Sequence, residues 1–234
     1  MGSHGMGKKE YCPFPALDGS AGGGLTVLGA AITAFAEIPQ VKIIIIAVPD
    51  NPKTGEAAAR NALPQGLFAG KSSPAVLFVS GGKTRRASVF NALSLLSARD
   101  FSGYVLIHDG ARPWISPSLI RRLITAVKKY NAVIPFLPVT ETPKEIDRPL
   151  GEPRSGPVFI RQHLKRALVG SAQTPQCFAF PEILRAHEKA AKQEKLKRRE
   201  FTDDAEVWAA FCGPVAAIPG ELQNRKITFP EDLK

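Results

Sequence analysis

The sequence predicts an α/β domain: a parallel sheet with helices on both faces. Three observations carry that expectation. Apolar runs at residues 41–48 (VKIIIIAV), 75–79 (AVLFV) and 104–107 (YVLI) read as strands buried on both faces. Stretches with helical spacing of apolar residues lie between them. Glycine- or proline-rich turns punctuate the junctions. The chain has 234 residues, 44% of them hydrophobic, which suits one domain with a sizeable core. We take residues 1–234 as a single domain, with 140–170 as an extended arm.

In chain order, residues 1–7 (MGSHGMG) resemble a tag remnant and carry no fold weight. Residues 19–24 (GSAGGG) read as a flexible turn. Residues 25–38 place Leu25, Leu28, Ala31, Ile32 and Phe35 at helical spacing. The strand at 41–48 ends at Pro49-Asp50-Asn51-Pro52, and a weak helix follows over 54–62. The strand at 75–79 leads through Ser80-Gly81-Gly82 into a helix over 84–97, with Val89, Leu93 and Leu96 inward. After the strand at 104–107, Ser116 and Pro117 supply the cap and first turn of a helix that runs to Tyr130 and stops at Asn131. Residues 132–139 read as a strand that Pro135 and Pro138 assign to an edge or a bend. Residues 140–170, rich in Pro, Gly and charge, break the pattern and read as an arm or hairpin leaving the domain. Helices return at 182–196 and 203–211. Residues 215–218 and 226–227 read as short final strands.

Composition narrows the function. The net charge is +10, so either the partner is anionic or a basic face is merely solvated. Much of the excess lies at 189–199 (KAAKQEKLKRR), with no aromatic residue interleaved and no binding module, so a nucleic-acid partner is not expected. No apolar run reaches membrane-spanning length and no secretory leader is visible. Cys12, Cys177 and Cys212 are odd in number, and no C-x-x-C occurs. A disulfide framework or zinc site is not expected, and a reducing cytoplasm is.

The residues that could carry chemistry gather at strand ends. His108-Asp109-Gly110-Ala111-Arg112-Pro113 follows a strand, where open α/β sheets bind ligands. Asp109 could hold a hard cation and Arg112 could grip a phosphate with its planar fork; the alternative is a plain turn. Gly81-Gly82 lets backbone N–H groups approach a ligand at a helix start, where anions are favoured. Arg85 and Arg86 in that first turn oppose the helix dipole, so something else must hold them there. Gln173-Thr174-Pro175-Gln176 could be only a turn. At 201–205 (FTDDA) the reading is helix capping, with Thr202 as cap and two carboxylates in the first turn. Lys226 stands in a short final strand.

Together these segments resemble the 2-C-methyl-D-erythritol 4-phosphate cytidylyltransferase family of the non-mevalonate isoprenoid pathway. The matching segments are Lys8-Lys9-Glu10-Tyr11, Ser80-Gly81-Gly82 through Ser88-Val89, residues 108–113, 138–144 (PVTETPK), Lys165-Arg166, 173–176, 202–205, and 224–228 ending in Pro230-Glu231-Asp232-Leu233. Each is modest alone; eight in order at compatible spacing are specific.

The resemblance implies a Rossmann-like nucleotidyltransferase sheet. It implies transfer of CMP from CTP to the phosphate of the methylerythritol phosphate, with release of pyrophosphate. Gly81, Gly82 and Ser88 would contact the nucleotide. Asp109 would bind Mg²⁺ or the sugar substrate. Arg112, Thr142 and Arg166 would hold the substrate phosphate, and Lys9 and Lys226 would neutralise the α-phosphate. The arm would pair two subunits as a homodimer and carry its arginine to the neighbour's site. No general base is expected, because the attacking phosphate oxygen is already ionised at neutral pH; in-line positioning and cations suffice. Histidine and cysteine have no evident part.

Departures from the pattern set further expectations. The family opens with an apolar strand and a Gly-rich loop ending in arginine, whereas here only Met1–Gly7 stands before Lys8. A polypeptide of this sequence alone is therefore expected to be unstable or nearly inactive, and a longer one carrying strand and loop to be active. Lys83 stands where an acidic residue is common, and Gly110 where alanine is. Two other functions fit the motifs: a ribitol 5-phosphate cytidylyltransferase, or a degenerate, dimeric nucleotide-binding homologue without turnover.

Overall fold

A computed structural model describes residues 9–15, 21–49, 52–68, 70, 73–150, 156–196 and 201–233. A 3-10 turn, Lys9–Tyr11, opens it. Strands β1 (Pro13–Pro15) and β2 (Ala21–Thr26) then pair antiparallel. The glycines expected as a flexible turn thus belong partly to a strand. Helix α1 (Val27–Ala36) starts two residues later than expected, because the Thr26 hydroxyl accepts from the Gly29 N–H and fixes the cap there. Strand β3 (Ile43–Val48), helix α2 (Pro52–Asn61) and strand β4 (Ala75–Ser80) follow; β3 and β4 pair in parallel.

Helix α3 (Arg85–Ser97) is capped by Thr84 and buries Leu93 and Leu96, as its spacing predicts. Strand β5 (Gly103–Ile107) leads to the segment containing Asp109. Helix α4 (Pro117–Tyr130) has Ser116 as N-cap and ends on Asn131 at φ 60°, matching both expected signals. Strand β6 (Ala132–Pro138) comes next. Strands β7 (Lys144–Ile146) and β8 (Ile160–His163) form an antiparallel hairpin within the expected arm. The chain finishes through β9 (Gly170–Ala172), β10 (Gln176–Phe180), α5 (Glu182–Lys195), α6 (Asp204–Phe211) and β11 (Ala216–Pro219).

The main sheet has the order β11-β6-β10-β5, with β9 joined to β6. It is mixed, not purely parallel, since β10 runs antiparallel to both β5 and β6. Strand β6 is interior, which corrects the edge assignment. Pro135 is tolerated because it sits where one side of β6 changes partner: β10 pairs with Ala132 and Val133, and β9 takes over at Phe136. A missing N–H costs no ladder bond at that switch. Residues 226–227 form no strand; Ile227 instead donates a single N–H to the Ala111 carbonyl.

Alternation along the strands builds two cores. Cys177 and Val133 face α1 and α4, meeting Phe35, Leu119, Leu123 and Val127. Their neighbours Phe178 and Ala132 face the other way, meeting Leu93 and Leu96 of α3, Ile183 of α5 and Trp208 of α6. Helices therefore cover both faces, as expected. Burying a side chain such as Phe178 contributes about 2–3 kcal/mol. Ile43 and Ile45 of β3 share a cluster with Val105 and Ile107 of β5, and Ile44 shares the opposite one with Leu106. The two strands thus lie in one layer, yet no ladder joins them among the described residues. Residues 1–8, where the sequence offers no strand, lie outside the described residues.

Candidate active site

The ends of β4 and β5 converge through charge. Asp109 leaves β5 and accepts from Arg85 Nε at 3.0 Å on Oδ1. Lys226 Nζ stands 3.0 Å from its Oδ2, and Arg112 Nε 3.8 Å from the same oxygen. Burial pushes the Asp109 carboxyl up, but Arg85 and Lys226 outweigh burial and hold it well below the usual carboxylate range. Burial also lowers the Arg112 guanidinium, against the pull of Asp109. Three cations thus surround one carboxylate at the carboxyl end of the sheet.

Each of these groups is placed by a second, buried set of polar contacts. Asp109 N–H donates to Thr174 Oγ1 at 3.0 Å. Thr174 Oγ1 in turn lies 3.1 Å from His108 Nδ1, and His108 Nε2 lies 3.1 Å from the Arg112 carbonyl. A carbonyl only accepts, so Nε2 carries the proton and Nδ1 accepts from the threonine. This is a neutral imidazole, and burial pushes its pKa down to about 4. Histidine therefore has a part after all: it ties the two ends of the segment from His108 to Arg112. Lys226 lies between two anchors. Before it, buried Asn224 donates to the Thr174 carbonyl and accepts through its own carbonyl from Arg112 and Gln173. After it, Ile227 is fully buried against Val27 and Trp114. The 173–176 segment is thus more than a turn; Gln173 and Thr174 fix the loop that carries Lys226.

The glycines beside this cluster have a steric reason. A Cβ on Gly82 would stand 2.4 Å from Ala87 Cβ, and one on Gly81 2.8 Å from the Val48 carbonyl oxygen. Gly82 N–H donates to Ser88 Oγ at 3.0 Å, so Gly81, Gly82 and Ser88 form one tight entry to α3. Lys9 belongs to a turn that abuts the Asp109 segment: Glu10 Cγ lies 3.6 Å from the position of a Cβ on Gly110.

Residues 18–234 match the family described as "IspD: 2-C-methyl-D-erythritol 4-phosphate cytidylyltransferase". The chain belongs to that family. It is 41% identical over 213 residues to the bifunctional enzyme IspD/IspF of Bradyrhizobium sp. (strain ORS 278), covering 90% of this chain and 48% of that protein. The chain spans about half the length of the curated relatives it matches. Among solved structures, 4-diphosphocytidyl-2C-methyl-D-erythritol synthase from Anaerococcus prevotii DSM 20548 superposes with a TM-score of 0.73 at 27% identity, over 90% of this chain and 84% of that one. The 2-C-methyl-D-erythritol 4-phosphate cytidylyltransferase of Thermus thermophilus gives 0.61 at 30% identity, over 89% and 85%.

Measured against the cytidylyltransferase motifs, the structure brings together Asp109, Arg112 and Lys226, with Gly81, Gly82 and Ser88 at the adjoining helix entry. It does not bring Thr142 and Arg166 to them within the chain. Both are exposed on the hairpin side, where Arg166 Nη1 donates to the Thr140 carbonyl at 3.1 Å. The hairpin region also exposes Leu150, Phe159, Ile160 and Leu168.

Residues 202–205, part of the same motif set, divide their labour differently from the expectation. Asp203, not Thr202, is the cap of α6, accepting from the Glu206 N–H at 2.8 Å. Asp204 points inward to Arg85. The unfavourable Arg85 and Arg86 are accounted for by ion pairs, to Asp109 and Asp204 and to Glu194 respectively. Gln173, Asn224, His108 and Asp204 were not expected as site-building residues. All four nevertheless lie in segments that carry the family resemblance (108–113, 173–176, 202–205 and 224–228), and the misplaced charge of Arg85 was a further signal.

Proposed function

We propose that this chain transfers CMP from CTP to 2-C-methyl-D-erythritol 4-phosphate and releases pyrophosphate, for isoprenoid precursor synthesis. The observation that carries the reading is the Asp109 cluster, with Arg85, Arg112 and Lys226 gathered beside Gly81-Gly82. A phosphate oxygen attacks the α-phosphorus of CTP and the bond to the β-phosphate oxygen breaks. The attacking group needs no deprotonation, so the work is alignment and neutralisation. Lys226 and Lys9 neutralise the α-phosphate. Arg112 holds the sugar phosphate, with Thr142 and Arg166 reaching it from the arm of a second subunit in a homodimer. Gly81, Gly82 and Ser88 receive the nucleotide.

Mg²⁺ fits this site in one way. Among the described residues no cluster of three His, Cys, Asp or Glu side chains could hold a metal. Asp109 would bind it alone, with phosphate oxygens and water completing the shell, as Mg²⁺ commonly prefers. Lys226, about 41% exposed, is free to turn from Asp109 to phosphate. When bound, the ion would neutralise phosphate charge. No helix among the described residues is long and apolar enough to cross a membrane, and Cys12, Cys177 and Cys212 are free thiols, consistent with a cytoplasmic setting.

The test is CTP-dependent pyrophosphate release measured with 2-C-methyl-D-erythritol 4-phosphate and, separately, with ribitol 5-phosphate. With a chain that carries an apolar strand and Gly-rich loop ahead of Lys8, the expected result is turnover with the first and little with the second. Preference for ribitol 5-phosphate would move the chain to the other substrate. Binding of CTP without turnover on either would assign it a non-catalytic role.

A further inference from the structure

Behind the cluster lies a buried charge that substrate chemistry leaves unused. Asp204 is 1% exposed, and its Oδ2 accepts from Arg85 Nη1 at 2.7 Å. Its other oxygen, Oδ1, stands 3.2 Å from Nε2 of His187, a fully buried residue of α5. Neither His187 ring nitrogen finds an aligned hydrogen bond among the described residues, and neither does Asp204 Oδ1.

This arrangement is costly. A buried charge is tolerated only when paired, and removing one partner of such a pair is strongly destabilising. Helix capping does not require it. Asp203 already caps α6, and a first-turn carboxylate serves the helix dipole equally well when exposed. The shape of Arg85 supplies the reason. Its guanidinium is planar and rigid. Fixing Nη1 on Asp204 fixes where the Nε edge points, and that edge meets Asp109 at 3.0 Å. Hydrogen-bonded ion pairs therefore run from Asp204 through Arg85 to Asp109, and His187 of α5 stands 3.2 Å behind the Asp204 end.

We propose that Asp204 and His187 are positioning residues that act through Arg85 to hold the Asp109 carboxylate in its working orientation. Asp204 is the anchor, and His187 keeps the anchor from rotating. The inference rests on the proposed function only in placing Asp109 at the site.

The test is a double-mutant cycle on kcat/KM, with melting temperature followed independently. Asp204→Asn and Arg85→Gln should each lower kcat/KM by roughly thirtyfold, and the double variant should lose no more than the worse single, because the two act as one unit. Asp204→Glu should restore most of the activity, since it keeps the charge. His187→Gln should cost several-fold in the parent and nothing further in Arg85→Gln. Losses that multiply, or a folded Asp204→Asn protein with parental kcat/KM, would overturn the proposal. Should Asp204→Asn fail to fold, the His187→Gln cycle decides alone, and multiplicative losses there overturn it equally. Asp109→Ala separates the two readings. If it is inactive while Asp204→Asn is unimpaired, only the anchor fails; if it retains full activity, the assignment of the site fails.

Discussion

Around Asp109 both arginines are held by groups that are themselves buried, Arg85 by Asp204 and Arg112 by Asn224. Arg112 donates to the Asn224 carbonyl, Asn224 is fully buried, and Ile227 pins the loop of Lys226 from below. On the hairpin the construction is the reverse. Thr142 and Arg166 are exposed, and the Arg166 guanidinium donates to a backbone carbonyl of the same arm. Both regions carry residues suited to phosphate. The first is preorganised and needs only a ligand. The second has no such buried support within the chain, and the proposed homodimer would supply it from a second subunit.

The largest effects should therefore come from the preorganised side. Arg112→Ala and Lys226→Ala should each lower kcat/KM about a hundredfold or more, since each removes a charge-assisted contact to phosphate. Their melting temperatures should differ modestly. Lys226 is partly exposed, so its loss should barely register, whereas Arg112 loss removes one of the two donors, with Gln173, to the buried Asn224 carbonyl. Steady-state kinetics with parallel thermal melts checks both. Parental turnover at either position would remove that residue from the site.

An intermediate effect concerns what holds the cluster. His108 is half-buried against Phe35, its nitrogens engaged by Thr174 and the Arg112 carbonyl, with Asp109 and Arg112 as its charged neighbours. Its pKa is pushed down to about 4 when folded, while in the unfolded chain it sits near 6.5. Between those values the unfolded chain binds more protons. Stability should be complete above about pH 6.5, decline as pH falls toward 4, and level off for this group below that. The full shift would correspond to about 3 kcal/mol, and partial exposure reduces the expectation to about 2. Urea unfolding at a series of pH values reads it. His108→Gln should flatten the curve between pH 6.5 and 4 while keeping the acid loss below about 4 that Asp109 and Asp204 impose by their lowered pKa values. A His108→Gln curve parallel to the parent's would assign the decline elsewhere.

The same contrast explains what could be read from the chain. Strands β3, β4 and β5 and helices α3 and α4 were legible because local pattern and caps agree with the final packing. Asp109 and Arg112 stood out as a carboxylate and a guanidinium directly after a strand, whereas Lys226 drew a role only from the family resemblance, since the strand expected at 226–227 does not form. Strand β6 misled because proline bars a residue from donating to a ladder, and the sequence alone cannot reveal that the ladder changes partner at Pro135. Asp204 was hidden for a similar reason. Its pairing with Arg85 spans 119 residues, and two adjacent carboxylates before a helix look the same whether both cap or one turns inward.

The smallest effect should come from the arm. Arg166→Ala should cost about tenfold in kcat/KM, less than the buried cations, because an exposed arginine recovers part of its interaction energy from water. Its informative property is location. Prepare one subunit with Asp109→Ala and another with Arg166→Ala, each impaired as a homodimer, and mix them under conditions that exchange subunits. If each site takes Asp109 from one chain and Arg166 from the other, the mixed dimer has one site with neither wild-type residue and one with both. Activity should then exceed the sum of the two separate proteins and approach half the parental value per mixed dimer. If each site uses its own arm, every site keeps a single lesion and mixing changes nothing. Sedimentation of the parent as a monomer at micromolar concentration would also rule out the shared site, and the hairpin's exposed Leu150, Phe159, Ile160 and Leu168 would then need another partner.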